Sequence, residues 1–260
     1  LYQAGRLAEG RGDYEQALAF ARQGLALSRH LGDARGEARA LGLMGWIAHG
    51  RGDRRAAGPL LERSLARAQD SGDERALART RLFLGDLRLR QGALEEAANL
   101  FQESRAFYEK EGDKWCLAWA LGGLGEVERN LGDLKRAEAY FRLSLLLYRD
   151  LGSTTEIPYP LEALALAAAD RGLYQQGTRL FGAASAIRDG FHAYLQPSYQ
   201  ADYAPTLAKL RGILGEEAFG TAWTEGRAMT LAQALALAAE PPSETEPAQP
   251  APARAGSEPD

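Results

Sequence analysis

One stretch of the sequence, bounded by two Gly-Asp pairs, decides the fold: residues 112–133 read GDKWCLAWALGGLGEVERNLGD. Glycine adopts the left-handed backbone conformation that ends a helix, and aspartate accepts hydrogen bonds from the free amides of the following first turn. Each Gly-Asp pair therefore predicts the end of one helix and the start of the next. The apolar residues between the pairs recur at helical spacing, at Leu117, Leu121, Leu124 and Val127.

The same glycine positions recur every 40 residues along most of the chain. One ladder of glycines holds Gly12, Gly52, Gly92, Gly132 and Gly172, and a second holds Gly32, Gly72, Gly112 and Gly152. A fixed period of this size indicates one supersecondary unit that is copied and stacked, so that neighbouring copies share a core. Successive junctions lie about 20 residues apart, which leaves about 15 or 16 residues for each helix. The unit is therefore an antiparallel pair of helices.

Small and large residues take complementary places in the two helices of each unit. Glycine occupies matched sites in the first helices, at Gly5, Gly45, Gly85 and Gly125. Large apolar residues occupy matched sites in the second helices, at Leu61, Phe101, Phe141 and Phe181. We expect each large side chain to fill the space that a glycine leaves, so that the two helix axes approach closely.

These features together resemble the tetratricopeptide repeat family: Leu-Gly in the first helix (Leu84-Gly85, Leu124-Gly125), then Gly-Asp, then alanine and phenylalanine in the second helix. The resemblance covers residues 1–190 and has a 40-residue period. It implies an all-α fold, a right-handed α-solenoid of antiparallel helix pairs with about five repeats, the first of them truncated. It also implies that the first helix of each pair lines the concave face.

The period breaks near the end of the array, but the sequence stays helical. Residues 199–214 and 216–226 predict two helices, and Thr230 with Gln233 predicts a capping box that opens a third. We expect residues 191–240 to form a C-terminal helical cap, since a stacked array needs a polar outer face at its end.

The two ends of the chain carry separate expectations. Leu1 and Gly5 already lie in first-helix register, so we expect a fragment of a longer protein, with an uncapped end that could stack on another copy. Residues 241–260 are rich in proline and glutamate and are expected to be a disordered tail.

The C-terminal region also resembles a more specific group. Arg179-Leu-Phe-Gly-Ala-Ala-Ser, Leu214-Gly-Glu-Glu-Ala-Phe219 and Glu225-Gly-Arg227 are similar to the end of the tetratricopeptide sensor region in bacterial signal-transduction ATPases and in LuxR-type or winged-helix transcriptional regulators. The resemblance implies that the repeats sense a ligand or a partner protein and control an ATPase or DNA-binding module. The sequence holds neither a phosphate-binding Gly-x-x-x-x-Gly-Lys-Ser/Thr loop nor a following helix-turn-helix, so we expect those modules to lie elsewhere.

Composition and charge weigh against several classes of function. The net charge is −4 and falls mostly on the tail, so the repeats lack the positive field on which nucleic-acid affinity depends. No apolar run reaches the length of a membrane span, and no signal peptide opens the chain. We therefore expect a cytoplasmic protein whose repeats make no direct contact with nucleic acid or membrane.

Catalysis and metal binding have no visible basis in the sequence. Cys116 is the single cysteine, which excludes an intramolecular disulfide framework, and we expect it to be a small buried hydrophobe. His30, His49 and His192 lack the spacing of metal ligands. No nucleophile, base and orienting group can be assembled, so we expect no enzyme, no cofactor and no metal site.

Function is expected on the concave face, where matched positions differ from repeat to repeat. Tryptophan stands in this groove at Trp46 and Trp119, with Gly42 and Gly122 leaving room beside it. Arginines stand among carboxylates on the same face, which suits a polar or acidic-ended peptide. The candidate groove residues are Arg39, Trp46, His49, Arg79, Asp86, Trp119, Glu126 and Arg129. The alternative for the tryptophans is that they wedge between helices as core.

Three functions remain open at this point. The leading interpretation is a protein- or peptide-binding module, the sensor or interaction region of a larger bacterial regulator. The alternatives are a small-molecule sensor of such a regulator and a self-assembly scaffold. A compact pocket around Trp46, Arg79 and Trp119 would favour a small molecule, whereas a continuous open groove would favour an extended peptide.

Overall fold

Twelve helices and no strand make up the part of the chain that the computed structural model describes, residues 1–191 and 197–239. In chain order they are α1 (Tyr2–Gly10), α2 (Tyr14–His30), α3 (Ala34–Gly50), α4 (Arg54–Ser71), α5 (Glu74–Arg90), α6 (Leu94–Glu111), α7 (Lys114–Leu131), α8 (Leu134–Asp150), α9 (Pro158–Asp170), α10 (Tyr174–Phe191), α11 (Pro197–Arg227) and α12 (Leu231–Ala239). Successive helices from α1 to α11 pack side by side, and the first helices stack: α1 on α3, α3 on α5, α5 on α7 and α7 on α9. The chain is an all-α solenoid of helix pairs, as the glycine ladders predict.

Left-handed glycines and aspartate caps form the junctions, as predicted. The nine ladder glycines have φ between 63° and 88°. Six aspartates accept a hydrogen bond from the backbone amide three residues further on: Asp13, Asp33, Asp53, Asp73, Asp113 and Asp133. Because each junction takes only two or three residues, α2 to α8 reach 17 or 18 residues, slightly more than expected. Ala93 departs from the pattern, since it begins α6 without a side-chain cap.

Large side chains fill the space beside the glycines of the first helices, as predicted. Phe101 is fully buried between α5 and α7: a Cβ atom added at Gly85 would lie 2.9 Å from its ring, and one added at Gly123 would collide with it. In the same way, a Cβ atom added at Gly45 would lie 2.7 Å from the side chain of Leu61, and one added at Gly125 would lie 2.5 Å from the ring of Phe141. We call these contacts the glycine seam. They hold the paired helices at a separation that a larger residue would not allow.

The C-terminal helices pack on the end of the array. Gly182 of α10 leaves room for the backbone of α11 at Trp223, and Gly226 of α11 leaves room for the backbone of α10 at Arg179. α11 is broken at Gly215, where φ is 78° and ψ is 162°. It therefore consists of two helices that meet where the sequence predicts a break.

The start of α12 has the predicted capping box. The amide of Gln233 donates to Thr230 Oγ1 at 3.3 Å, and the amide of Thr230 donates to Gln233 Oε1 at 2.8 Å. The predicted tail at residues 241–260 lies outside the described residues, and the predicted cap at residues 191–240 falls partly outside them. α11 also reaches α3 and α9, so the C-terminal region touches early repeats as well as late ones. None of the helices described above is both long and apolar enough to cross a membrane.

Candidate functional site

A cavity of about 290 Å³ lies among the first helices of the repeats. Its walls come from α1, α3, α5, α7 and α9, with side chains of α8 and α11 completing them. We call it the central cavity, and its lining includes Arg6, Trp46, Arg79, Trp115, Trp119 and Tyr203. Its volume lies at the lower end of the range of about 300–1,000 Å³ that is typical of small-molecule sites.

The central cavity is compact because the array curves strongly. The guanidinium carbon of Arg6, on α1, lies 5.8 Å from the centre of the Trp115 ring, on α7. These helices belong to repeats that are separated by two others in the chain. The curvature therefore brings distant repeats to opposite walls of one space.

Aromatic rings form one continuous wall of the central cavity. Trp46 and Phe83 stack, with ring centres 4.9 Å apart and planes inclined by 16°. Trp119 meets Trp46 at 4.8 Å, and Trp115 meets Trp119 edge-on at 5.6 Å. Offset stacking and edge-to-face contacts are the arrangements that aromatic pairs prefer. The wall is therefore a preformed apolar surface.

The carboxylates of the central cavity already accept from, or lie against, groups of the protein. The contacts are Glu9 with Trp46 Nε1 at 3.1 Å, Asp86 with His49 Nε2 at 2.7 Å, Glu126 with Arg129 Nη2 at 3.2 Å, and Glu156 with Thr155 Oγ1 at 2.7 Å. Hydrogen bonds of this kind offset part of the cost of removing a carboxylate from water. Each of these four carboxylates thus has a hydrogen-bond partner inside the protein.

Two arginines that line the central cavity, Arg6 and Arg79, form no ion pair with a described residue. Within the described residues, no Asp or Glu oxygen lies within 4.0 Å of the guanidinium of Arg6 or Arg79. Arg79 Nη2 instead donates to Cys116 Sγ at 3.5 Å. Burial acts to lower the pKa of Arg79, but its neighbours, Tyr2 first among them, outweigh burial and the pKa is raised. Because arginine stays protonated at neutral pH, both side chains bring a positive charge to the cavity.

The single cysteine is buried, as predicted. Cys116 is 1% exposed, and burial raises the pKa of its thiol, although the charge of Arg79 opposes this effect. A neutral, buried thiol has little nucleophilic character. No group of three or more His, Cys, Asp or Glu within residues 1–191 and 203–239 could hold a metal ion.

A buried ion pair stands next to the central cavity, between α9 and α10. Arg188 Nη2 donates to both carboxylate oxygens of Glu162 at 2.7 Å, and its guanidinium lies 5.1 Å from the centre of the Tyr159 ring. Burial raises the pKa of Glu162 to about 7, against the opposing effect of Arg188. Burial also raises the pKa of Tyr159 to about 12. Tyr159 lies against Arg188, and Tyr203 is hydrogen-bonded to Glu162. Because both tyrosines line the cavity, the Glu162–Arg188 ion pair supports the wall formed by α9 and α11.

Comparison with known proteins supports the repeat family that the sequence resembles. Residues 76–150 match the family model of the tetratricopeptide repeat. The chain contains a tetratricopeptide repeat (TPR) array. In fold, the TPR array is similar to BtubC (BKLC) from P. vanneervenii, with a TM-score of 0.56 and 19% identity over 94% of this chain and 96% of that one. That likeness concerns the fold alone.

The relatives that match by sequence are named as regulators. Two proteins named as HTH-type transcriptional regulators, from Mycobacterium bovis and Mycobacterium tuberculosis, are each 35% identical to this chain over 82 residues. The match covers 32% of this chain but only 9% of each regulator. The matched segment thus spans only a small part of the length of these relatives.

The TPR array brings together five of the eight candidate groove residues. Those that line the central cavity are Trp46, Arg79, Asp86, Trp119 and Glu126. His49 is fully buried behind the cavity wall, and Arg129 lies behind it too, where it also donates to Asp170. Arg39 lies elsewhere, where it donates to Asp73 at 2.7 Å. Trp46 is 6% exposed, so it serves both the core and the cavity wall.

The lining residues that are missing from the candidates suggested by the sequence include Arg6, Glu9, Trp115 and Tyr203. Arg6 and Glu9 occupy, one period earlier, positions that are groove positions in later repeats, so counting back into the truncated repeat would have found them. Trp115 lies one helical turn before a groove position. Tyr203 has no such signal, because α11 is outside the period.

Proposed function

We propose that this TPR array is the sensor region of a larger, cytoplasmic bacterial regulator and that it binds a small molecule in the central cavity. The observation that carries the proposal is the compact space around Trp46, Arg79 and Trp119. Small-molecule sites are concave and mostly apolar, with a few convergent polar groups. An extended peptide would need an open groove along the first helices, but α11 contacts α3 and α9 beside this space.

The regulatory context has two supports. The mycobacterial relatives that share 82 residues with this chain are named as HTH-type transcriptional regulators. The C-terminal region also resembles the end of TPR sensor regions in bacterial regulators. A ligand that contacts α1, α5 and α7 together would favour one curvature of the array over others, because it stabilises only the states in which those helices converge. A change of curvature is a signal that a neighbouring module can read.

The proposal is tested by filling the cavity. A Cβ atom added at Gly122 would meet only Ser144 Oγ, at 3.6 Å, so Gly122→Phe can place its ring in the central cavity. Gly212→Phe is the matched control, since Gly212 lies on α11 with nothing within 4 Å of an added Cβ atom. A library of small metabolites is screened by the rise in melting temperature of the purified chain. A ligand at a hundred times its Kd adds about 2.7 kcal/mol of stability.

The expected result is a set of compounds that stabilise the wild type and Gly212→Phe but not Gly122→Phe. The same compounds should change the tryptophan fluorescence, because Trp46, Trp115 and Trp119 all line the cavity. A screen without any stabilising compound, or compounds that stabilise all three proteins equally, would contradict the proposal.

A protein or peptide partner is the second candidate, because TPR repeats generally mediate protein interactions. It predicts that a peptide bound along the concave face stabilises the wild type, whereas no compound of the metabolite library does. Self-association through the N-terminal end is a third candidate. It predicts a mass that rises with concentration in light scattering and falls when residues 1–13 are removed.

A further inference from the structure

Four carboxylates and three arginines of the described part of the chain line the central cavity, and they differ in their contacts with the rest of the protein. Each of the four carboxylates is in contact with a group of the protein. Arg6 and Arg79 have no carboxylate within 4.0 Å among the described residues. Asp113 acts on Arg79 from beyond that distance, but its carboxylate also accepts from Arg75 and from the amide of Cys116. An anionic group that entered the cavity would give both guanidinium groups a close, charge-assisted hydrogen-bond partner.

The two arginines converge on the same turn of α7. Arg6 comes from α1 and lies over the ring of Trp115, whereas Arg79 comes from α5 and donates to the neighbouring Cys116. Both guanidinium groups act to lower the pKa of the Cys116 thiol, whereas the carboxylate of Asp113 acts to raise it, so two positive charges and one negative charge lie near that sulfur. The cavity therefore has one positively charged corner.

The apolar wall begins at that corner. Trp115 meets Trp119 edge-on at 5.6 Å, and Trp119 meets Trp46 at 4.8 Å, so aromatic surface leads from the arginines toward α3. Phe83 extends this surface by stacking on Trp46. A flat ring makes more contact with such a wall than a branched or strongly hydrated group does.

We infer that the ligand is an organic acid with a flat apolar body, whose carboxylate pairs with Arg6 and Arg79 while its ring lies against Trp115 and Trp119. The inference rests on the proposed function and specifies the ligand class. The guanidinium fork matches a carboxylate through two parallel N–H···O bonds, which suits this end of the molecule. A neutral, hydroxyl-rich ligand would leave the two cations without a close ion-pair partner.

Two probes of the same shape and different charge test the inference: naphthoate and naphthamide. Their affinities for the full chain are measured by isothermal titration calorimetry. Naphthoate should bind about 10- to 100-fold more tightly, as expected when a hydrogen-bonded charge pair is added. Arg79→Gln and Arg6→Gln should reduce that preference, and Arg79→Lys should keep part of it because the charge remains. Arg55→Gln, an exposed arginine of α4, is the matched control and should keep the full preference.

Each other outcome decides against a stated part of the inference. Equal affinity for the two probes would overturn the anionic class and leave the proposed function standing. Undiminished naphthoate binding in Arg79→Gln and Arg6→Gln would overturn the place of the carboxylate. Binding of neither probe would overturn the ligand class, and the metabolite screen with Gly122→Phe would then judge the cavity by itself. If circular dichroism shows Arg79→Gln to be unfolded, Arg6→Gln and Arg79→Lys carry the test.

Discussion

The two sides of α7 differ in how closely they are packed. On the side of the glycine seam, Gly123 leaves a gap that the fully buried ring of Phe101 fills. On the side of the central cavity, the adjacent Gly122 leaves a gap in which an added Cβ atom would meet only Ser144 Oγ, at 3.6 Å. Trp119, one helical turn earlier, faces the same open space. Both glycines border the cavity, but the space beside Gly123 is filled and the space beside Gly122 is open.

The difference follows from what each side must satisfy. Adjacent positions of the repeat show it: the seam position keeps glycine at Gly45, Gly85 and Gly125, whereas the next position, on the cavity, changes through Trp46, Asp86 and Glu126. Every unit must bury its apolar face on its neighbour, so the seam repeats. Residues on the cavity side do not have to pack against the next unit. Stability is therefore expected from the seam and recognition from the cavity.

Removing the ring of Phe101 should have the largest effect on stability. Phe101→Ala leaves an empty space between α5 and α7 that the surrounding helices cannot close, because backbone lines both sides of it at Gly85 and Gly123. We expect the free energy of unfolding to fall by about 3–5 kcal/mol. Urea titration followed by circular dichroism measures it.

Phe191→Ala is the control for the loss of Phe101. Phe191 ends α10 and is 49% exposed, so its truncation should change the free energy of unfolding by no more than about 0.5 kcal/mol. A cost below about 1 kcal/mol for Phe101→Ala would mean that the seam does not hold the array together.

The seam could be predicted from the sequence because its physical cause lies within one period. Gly85 and Phe101 recur at fixed positions, and a fixed position with one residue type points to one packing partner. The junctions could be predicted for the same reason, since a left-handed glycine and an aspartate cap need only local backbone geometry. Ala93 broke the rule without changing the fold, because packing of the helix pair fixes the junction as well.

The cavity could be predicted only in part, because its shape depends on how sharply the array curves. Trp46 and Trp119 stood out as large apolar groups in groove positions, and both line the cavity. The approach of Arg6 to Trp115 is a product of small rotations summed over several repeats, which no single stretch of sequence encodes. The position of Tyr203 depends on the path of α11 after the period ends. Long-range curvature is thus the property that sequence periodicity did not supply.

A pair of substitutions at adjacent glycines tests the contrast between the two sides directly. Gly123→Ala should lower the free energy of unfolding by about 1–3 kcal/mol, because the new methyl group collides with the enclosed ring of Phe101. Gly122→Ala should raise it by about 0.5–1 kcal/mol, because alanine favours a helix over glycine and finds room there. Chemical denaturation of the two variants gives both values. Changes of the same sign would remove the distinction between a closed and an open side.

An effect much smaller than the loss of Phe101 is expected at a junction that lacks a side-chain cap, the one before α6. Ala93 has φ −81° and ψ 69°, close to the values of −82° and 74° at the capped Asp133. Ala93→Asp should therefore accept a hydrogen bond from the first turn of α6 and raise the free energy of unfolding by about 1 kcal/mol, whereas Asp133→Ala should lower it by about the same amount. Because neither residue lines the central cavity, ligand affinity should stay unchanged in both variants. A change in ligand affinity with either variant would show that the junctions and the cavity are coupled, and that stability and recognition are not divided between the two sides of the first helices.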